Sequence, residues 1–230
     1  MEVFPRVRWR RWLIVCAIAG GCAPAVAQSI AGADPTVGAG VAAKGSSARD
    51  SPRESWRTFR DPMFKVSFSY PADWVFARRD REISTFRLDA RTAARTTLMR
   101  AVTSLPENPF PASTFSGAYF YLSVTPRSTD ALCASQAAGP DAGGRARPKV
   151  SQIGELSFAH GHDEQHQICT TVRDEVYTVF HRGACYRFDL AANNFCGGAV
   201  SGVKDITPEE LEQVFGRLQS ILETVRFDPK

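Results

Sequence analysis

All four histidines of the chain fall between positions 160 and 181: His160, His162, His166 and His181. Asp163 and Glu164 lie among them. Imidazole and carboxylate are ligands that zinc and copper accept. His160 and His162 share a face if the segment is extended, and His166 completes a candidate metal-ligand set. Against this, Gly161 gives the segment the character of a turn. In the hairpin register preferred below, His181 also falls on the opposite face from His166. Solvated loop histidines explain the same residues without a metal, and no cofactor is expected.

The six cysteines are the other reactive set. Cys16 and Cys22 lie in the N-terminal segment, which leaves Cys133, Cys169, Cys185 and Cys196. No C-x-x-C is present, so redox or metal chemistry has little support. An even count in an exported chain points to two disulfides. Other chemistry is thinly represented: there is no nucleophile elbow, phosphate loop or metalloprotease motif. The pair Glu209-Glu210 sits at a helix start, where the helix dipole accounts for it. Trp56, Trp74 and the run Tyr119-Phe120-Tyr121 could line a pocket, but core packing explains them more simply. The expectation is a protein that is not an enzyme.

The elements that must position these residues begin at Trp56. From there aromatics become frequent, and about 175 residues suffice for one domain with a sizeable core. Phe64, Val66, Phe68 and Tyr70 alternate with Lys65, Ser67 and Ser69, which predicts a strand with one buried side. Pro71 ends it. Pro71-Ala72-Asp73-Trp74 reads as a tight turn that folds Trp74 back on the core. Further extended stretches are expected at residues 74–78, 85–88 and 117–125. Ser128 is placed to cap a short helix through Ala131, Leu132 and Cys133. Residues 139–148 read as a loop.

Residues 164–190 read as a long hairpin with its turn at Arg173-Asp174-Glu175. In that register Cys169 and Cys185 are too far apart for a bridge, which needs Cα atoms within about 7 Å. Two connectivities remain: Cys185–Cys196 with Cys133–Cys169, or Cys133–Cys185 with Cys169–Cys196. The first is preferred, because Cys196 follows closely on a flexible Asn193-Asn194 stretch. At the C-terminus, Thr207, Pro208 and Glu210 predict a capped helix start. Leu211, Val214, Phe215, Leu218, Ile221 and Leu222 then recur at helical spacing. Val225-Arg226-Phe227 reads as a short last strand.

Upstream of the domain, residues 1–27 have the form of a secretory signal peptide. Arg6, Arg8, Arg10 and Arg11 precede an apolar run at residues 13–19, and Ala25-Val26-Ala27 is an A-x-A cleavage pattern. Cys22 follows Ala19-Gly20-Gly21, which resembles a lipoprotein box, so a lipid on Cys22 is the alternative ending. Residues 28–55 lack aromatics and any apolar period, and read as a flexible linker. The domain then spans 56–230. The chain has 28 basic and 24 acidic residues; the signal carries four of the arginines and one glutamate, leaving 24 and 23. A near-neutral mature chain with no basic stripe gives no nucleic-acid footprint.

The run F-K-V-S-F-S-Y-P-A-D-W over residues 64–74 resembles the opening strand of PsbP-like domains. L-x-S-I-L-E-T-V-R-F over residues 218–227 is similar to their closing helix and strand. Gly183-Ala184-Cys185-Tyr186 resembles a strand of secreted bacterial relatives. Residues 126–150 depart from the plain pattern. The resemblance implies an α+β fold, an antiparallel sheet flanked by helices in the PsbP-like α/β/α sandwich. It also implies an accessory or binding module with no catalytic residues to carry over. The expected protein is a periplasmic or secreted module serving an envelope protein complex. It would meet a membrane only if Cys22 is lipidated. A small-ligand or metal-binding protein using the histidine-rich hairpin at 160–181 is the alternative.

Overall fold

The alternation expected over residues 64–70 is realised from Val66 on, as β2 (Val66–Pro71), which buries Val66, Phe68 and Tyr70 and also Ser67 on its other side; Phe64 and Lys65 lie in the turn before it, with Lys65 at φ 55. The computed structural model describes residues 55–79, 82–83, 96–138, 148–197 and 202–229. The signal, the linker up to residue 54, Cys22, the stretch at 85–88 and most of the 139–148 loop therefore lie outside the described residues. β2 pairs antiparallel with β1 (Trp56–Asp61) on one side and β10 (Arg226–Phe227) on the other. The turn after it is made by Trp74 N–H donating to the Pro71 carbonyl at 3.1 Å, and Trp74 is buried.

A second sheet of seven antiparallel strands has the order β3-β4-β5-β9-β8-β7-β6. Its strands are β3 (Val75–Ala77), β4 (Leu98–Ser104), β5 (Phe115–Pro126), β6 (Lys149–Ile153), β7 (Leu156–Gln167), β8 (Thr170–His181) and β9 (Ala184–Phe195). One face carries Phe120, Leu122, Phe158, Tyr186, Phe188 and Leu190. Helix α2 (Pro208–Leu222) lays Leu211, Val214, Leu218, Ile221 and Leu222 on this face, together with the small sheet. The Phe68 and Phe120 rings, 5.0 Å apart, join the two sheets. The capping box forms as its residue types require: Thr207 Oγ1 accepts from Glu210 N–H at 3.2 Å, and Thr207 N–H donates to Glu210 Oε2 at 2.9 Å.

Helix α1 (Asp130–Ser135) lies on the opposite face, capped by Thr129, one residue beyond the expected Ser128. Thr178 Oγ1 donates to the Cys133 carbonyl at 2.9 Å, and Arg187 donates to the Gln136 carbonyl at 3.1 Å. Arg187 thus serves a carbonyl just past the helix end, and Thr178 adds a second donor to the Cys133 carbonyl, which also accepts from Gln136 N–H at 3.0 Å. The described residues thus place a helix on each face of the large sheet.

Two expectations are corrected. The turn is not at Arg173-Asp174-Glu175, which lie in the middle of β8. β7 turns into β8 through Ile168 and Cys169, with Cys169 at φ 60, and β8 turns into β9 through Arg182 and Gly183, at φ 49 and 76. The second is the two-residue turn whose twist matches the flanking strands. The first carries no Gly, Asn or Asp; a disulfide holds it. Two of the three charges that imitated a turn have partners within the sheet: Asp174 lies near Arg187, and Glu175 meets His160 and His162.

The preferred disulfide pairing is also wrong. The bridges are Cys133–Cys185 and Cys169–Cys196, with Cα atoms 5.1 and 4.2 Å apart. Cys185 and Cys196 stand at opposite ends of β9, and a strand rising about 3.4 Å per residue separates them by roughly 37 Å. Cys185 instead faces α1, and Cys196 meets the β7–β8 turn.

Candidate functional site

β7 and β8 are each 12 residues long and pair along most of their length. Gly161 lies inside β7 rather than in a turn, so the strand alternation runs on through it. His162, Glu164 and His166 consequently stand on one face of β7 with His160. They are strand residues, not loop residues. Across from them on β8 are Tyr177, Glu175, Arg173 and Thr171.

Glu175 organises this face. Its Oε2 meets His160 Nε2 at 2.8 Å and its Oε1 meets His162 Nδ1 at 2.9 Å. The His160 ring also stacks on Tyr177, centroids 4.2 Å apart and planes within 3°. Glu164 lies 3.7 Å from both His162 and His166, and His166 Nδ1 is 3.3 Å from Thr171 Oγ1. Burial alone would raise the Glu175 carboxyl; hydrogen bonds and charge from His160 and His162 outweigh it and hold the group below its ordinary value. His160 and His162 each spend a ring nitrogen on this carboxylate. Among the described residues no group of three or more His, Cys, Asp or Glu side chains could hold a metal ion. The three expected ligands are thus brought to one face but are set against glutamates rather than around a common centre.

His181 falls on the same face as His166, not the opposite one, but at the other end of β8. It stacks on Phe227 at 4.3 Å, beside a cavity of about 300 Å³ lined also by Leu156 and Val225. Burial and then Arg182 hold its pKa below the ordinary histidine value.

The reverse face of the same strands carries a second polar group. Arg187 of β9 donates through Nε to Asp189 Oδ1 at 2.7 Å, and its Nη2 lies 3.9 Å from Asp174 of β8. Asp189 is fully buried and Asp174 nearly so. Burial, followed by the Asp189 charge, raises the Asp174 carboxyl well above its ordinary value despite Arg187. The reading of the sequence missed this cluster. Arg187 and Asp189 alternate with Tyr186, Phe188 and Leu190, a pattern that equally describes a strand with one solvated face, so no local signal marks the polar side as covered.

The hairpin ends where Cys169 meets Cys196. Besides the sulfurs, Cys196 N–H donates to the Cys169 carbonyl at 3.1 Å. Ile168, beside the bridge, is 97% exposed, and Phe195 is 39% exposed. The aromatic candidates divide: Trp56 is partly exposed, and Tyr121 is fully buried. Trp74 lines an open cleft of about 700 Å³ with Asp73, Glu107, Asn108, Arg217 and Ser220. Asn108 is already committed to the backbone of Phe110 and Phe115, both at 2.7 Å.

Two disulfides fit an oxidising compartment outside the cytoplasm. Among the described residues no helix is long and apolar enough to cross a membrane. No family model and no curated protein matches the chain. Solved structures similar to it include three distant ones. A protein from Bacteroides thetaiotaomicron VPI-5482 is 11% identical over 75% of this chain and 48% of its own, with a TM-score of 0.42, so the chain spans about half of that protein. Cyanobacterial PsbP (CyanoP) from Synechocystis sp. PCC 6803 is 9% identical over 80% of this chain and 98% of its own, with a TM-score of 0.35. LpqN of Mycobacterium tuberculosis, described as involved in cell envelope biogenesis, is 13% identical over 78% and 88%, with a TM-score of 0.38. The second is a PsbP protein, the family that residues 64–74 resemble.

Proposed function

We propose that the chain is an exported, non-enzymatic binding module that engages a partner protein of the cell envelope through the end of the β7–β8 hairpin. The observation that carries this reading is the pinned apolar tip: Ile168, 97% exposed, adjoins a disulfide that fixes its turn to the end of β9, where Phe195 is also partly exposed. A turn whose backbone is tied down by a covalent bridge loses little further backbone freedom on binding, which favours association. The titratable groups nearby serve one another, as Glu175 serves His160 and His162, and this supports a structural rather than a catalytic use. The module works in the periplasm or outside the cell, free after cleavage at Ala27 or tethered by residues 28–55 if Cys22 carries a lipid.

The test is capture from an envelope fraction by the mature protein and by Ile168→Asp, both first checked for the same unfolding midpoint. The variant is expected to retain at most about a tenth of the captured partner, since a central apolar anchor is worth at least 1.4 kcal/mol. Equal capture by the two proteins would overturn the assignment of the tip.

A further inference from the structure

We infer that the cavity between the β6–β7 turn, the end of β8 and β10 is a binding site for a small carboxylate with an apolar body. This goes beyond the envelope-partner reading and does not rest on it. β8 is 12 residues long, so His181 at its end lies about 36 Å from the Ile168 tip, at about 3.3 Å per residue.

Three segments wall the cavity, and the sheets hold each of them. Leu156 opens β7 and pairs with Ile153 of β6. His181 closes β8 opposite Ala184. Val225 follows α2, and Phe227 pairs with Val66 of β2. All three segments run on into described residues on both sides. After Phe227 the chain is drawn away from the cavity: Asp228 N–H donates to the Lys65 carbonyl at 2.9 Å, and its carboxylate meets Arg60 at 3.3 Å. At about 300 Å³ the cavity stands at the small end of the range for ligand sites, about 300–1,000 Å³. Its walls ask for an apolar body. Leu156 and Val225 are aliphatic, and the Phe227 ring is set between His181, centroids 4.3 Å apart, and Tyr186 at 4.7 Å. A ring placed against them leaves water for an apolar surface.

The polar groups select the charge. Arg226 lines the cavity, and its Nη1 donates to the carbonyls of Val225 at 2.7 Å and Glu223 at 2.9 Å. These bonds fix the guanidinium but leave its charge uncompensated, since among the described residues no carboxylate meets it. Arg182, in the β8–β9 turn, has no side-chain partner among the described residues. Its charge acts on both His181 and Tyr186, which sets it on the cavity's side of the sheet. Against these two cations the wall carries one acid, Glu155. An anion therefore meets net attraction and a cation net repulsion, and a guanidinium matches a carboxylate in shape as well as charge. His181 adds a polar ring without partners. Its Nε2 is buried and makes no hydrogen bond, a cost that the fold leaves uncompensated. Its Nδ1 likewise has no partner among the described residues. A carboxylate at the rim supplies the acceptor that the fold withholds from this imidazole.

The probes are phenylacetate, its neutral amide phenylacetamide, and phenethylamine. Each is titrated into the mature protein while the imidazole signals of the four histidines are followed by NMR. His160, His162 and His166 do not line the cavity and serve as internal controls. Phenylacetate is expected to shift His181 saturably and to leave the other three in place. The amide should bind at least about tenfold more weakly, and the amine should leave His181 unmoved. Arg226→Gln and Arg182→Gln should each narrow the gap between acid and amide. Arg226 also bonds the end of α2, so Arg182→Gln carries the test if the other variant does not fold. Ile168→Asp should bind phenylacetate as the unmodified protein does, so failure at the tip and failure at the cavity are read separately. The inference is overturned if acid and amide bind equally, if the amine binds as well as the acid, or if all four histidines shift together. A His181 signal that phenylacetate does not move, or an unchanged gap in Arg182→Gln, would overturn it too.

Discussion

Gly161 and Ala137 stand so close that a methyl group on Gly161 would sit 1.7 Å from the Ala137 carbonyl oxygen. The backbone just beyond α1 rests directly on β7 there. Only a residue without Cβ lets it approach, and this contact is one of the anchors of α1 on the sheet. Gly161→Ala is expected to lower stability by about 1–3 kcal/mol or more, because a backbone atom rather than a flexible side chain must yield. A urea titration reads this as a lower midpoint with an unchanged slope. An unaltered midpoint would mean that α1 shifts without cost.

The two disulfides should differ in both accessibility and contribution. Cys133 and Cys185 are almost fully buried, whereas Cys169 is exposed at the hairpin end. Mild reduction followed by alkylation and peptide mass mapping should label Cys169 and Cys196 well before the other pair. The bridges span 52 and 27 residues. Loop entropy alone makes the longer one worth about 0.6 kcal/mol more. Replacing Cys133 and Cys185 by serine should therefore destabilise the domain more than replacing Cys169 and Cys196. Simultaneous labelling of all four would contradict the difference in burial.

Why one pairing was missed and other elements were not comes down to locality. The α2 start is encoded by three neighbouring residues, Thr207, Pro208 and Glu210, and the β2 alternation by the five from Val66 to Tyr70. Each signal is contained within the element that it makes. The β7–β8 turn has no such local code. Ile168 and Cys169 turn because Cys196, 27 residues on, holds them. Without that turn the sequence offered Arg173-Asp174-Glu175 as a substitute, and every later register moved with it. The histidine face shows the same dependence. Its residue types were legible, but Glu175, which binds two of the rings, had been assigned to the false turn.

Asp174 and Asp189 should respond in opposite ways to loss of charge. Burial lifts the Asp174 carboxyl well above its ordinary value of 3.8, so the folded protein holds this proton more tightly than the unfolded chain does. Its contribution is complete below about 3.8 and is lost as pH rises through the folded value. Asp174→Asn mimics the protonated form and escapes that loss. It should match the wild type in acid and gain stability over it as pH rises towards neutrality. Asp189→Asn removes the tight partner of the buried Arg187, whose own pKa is raised by Asp189 against the effect of burial. That change should cost about 3–5 kcal/mol at neutral pH. Guanidinium titrations across the pH range give both differences, and a destabilised Asp174→Asn at pH 7 would refute the sign for Asp174.

Glu175 gives the reverse sign. Its carboxyl lies below the ordinary value of 4.5 because the bonds and charge from His160 and His162 outweigh burial. Its contribution is present above about 4.5 and is lost as pH falls through the folded value. Asp61, held low by Arg100 and the amides of Phe64 and Met63 against the effect of burial, loses stability over the same range. The wild-type profile alone would therefore mix the two groups. The difference between wild type and Glu175→Gln isolates one of them, since Asp61 is unchanged in both proteins. That difference should be largest near neutral pH and should shrink steadily in acid. If it were flat from pH 7 to pH 3, the two histidine contacts would contribute nothing to the hairpin, and the order of the β7 face would have to come from the backbone pairing with β8 alone.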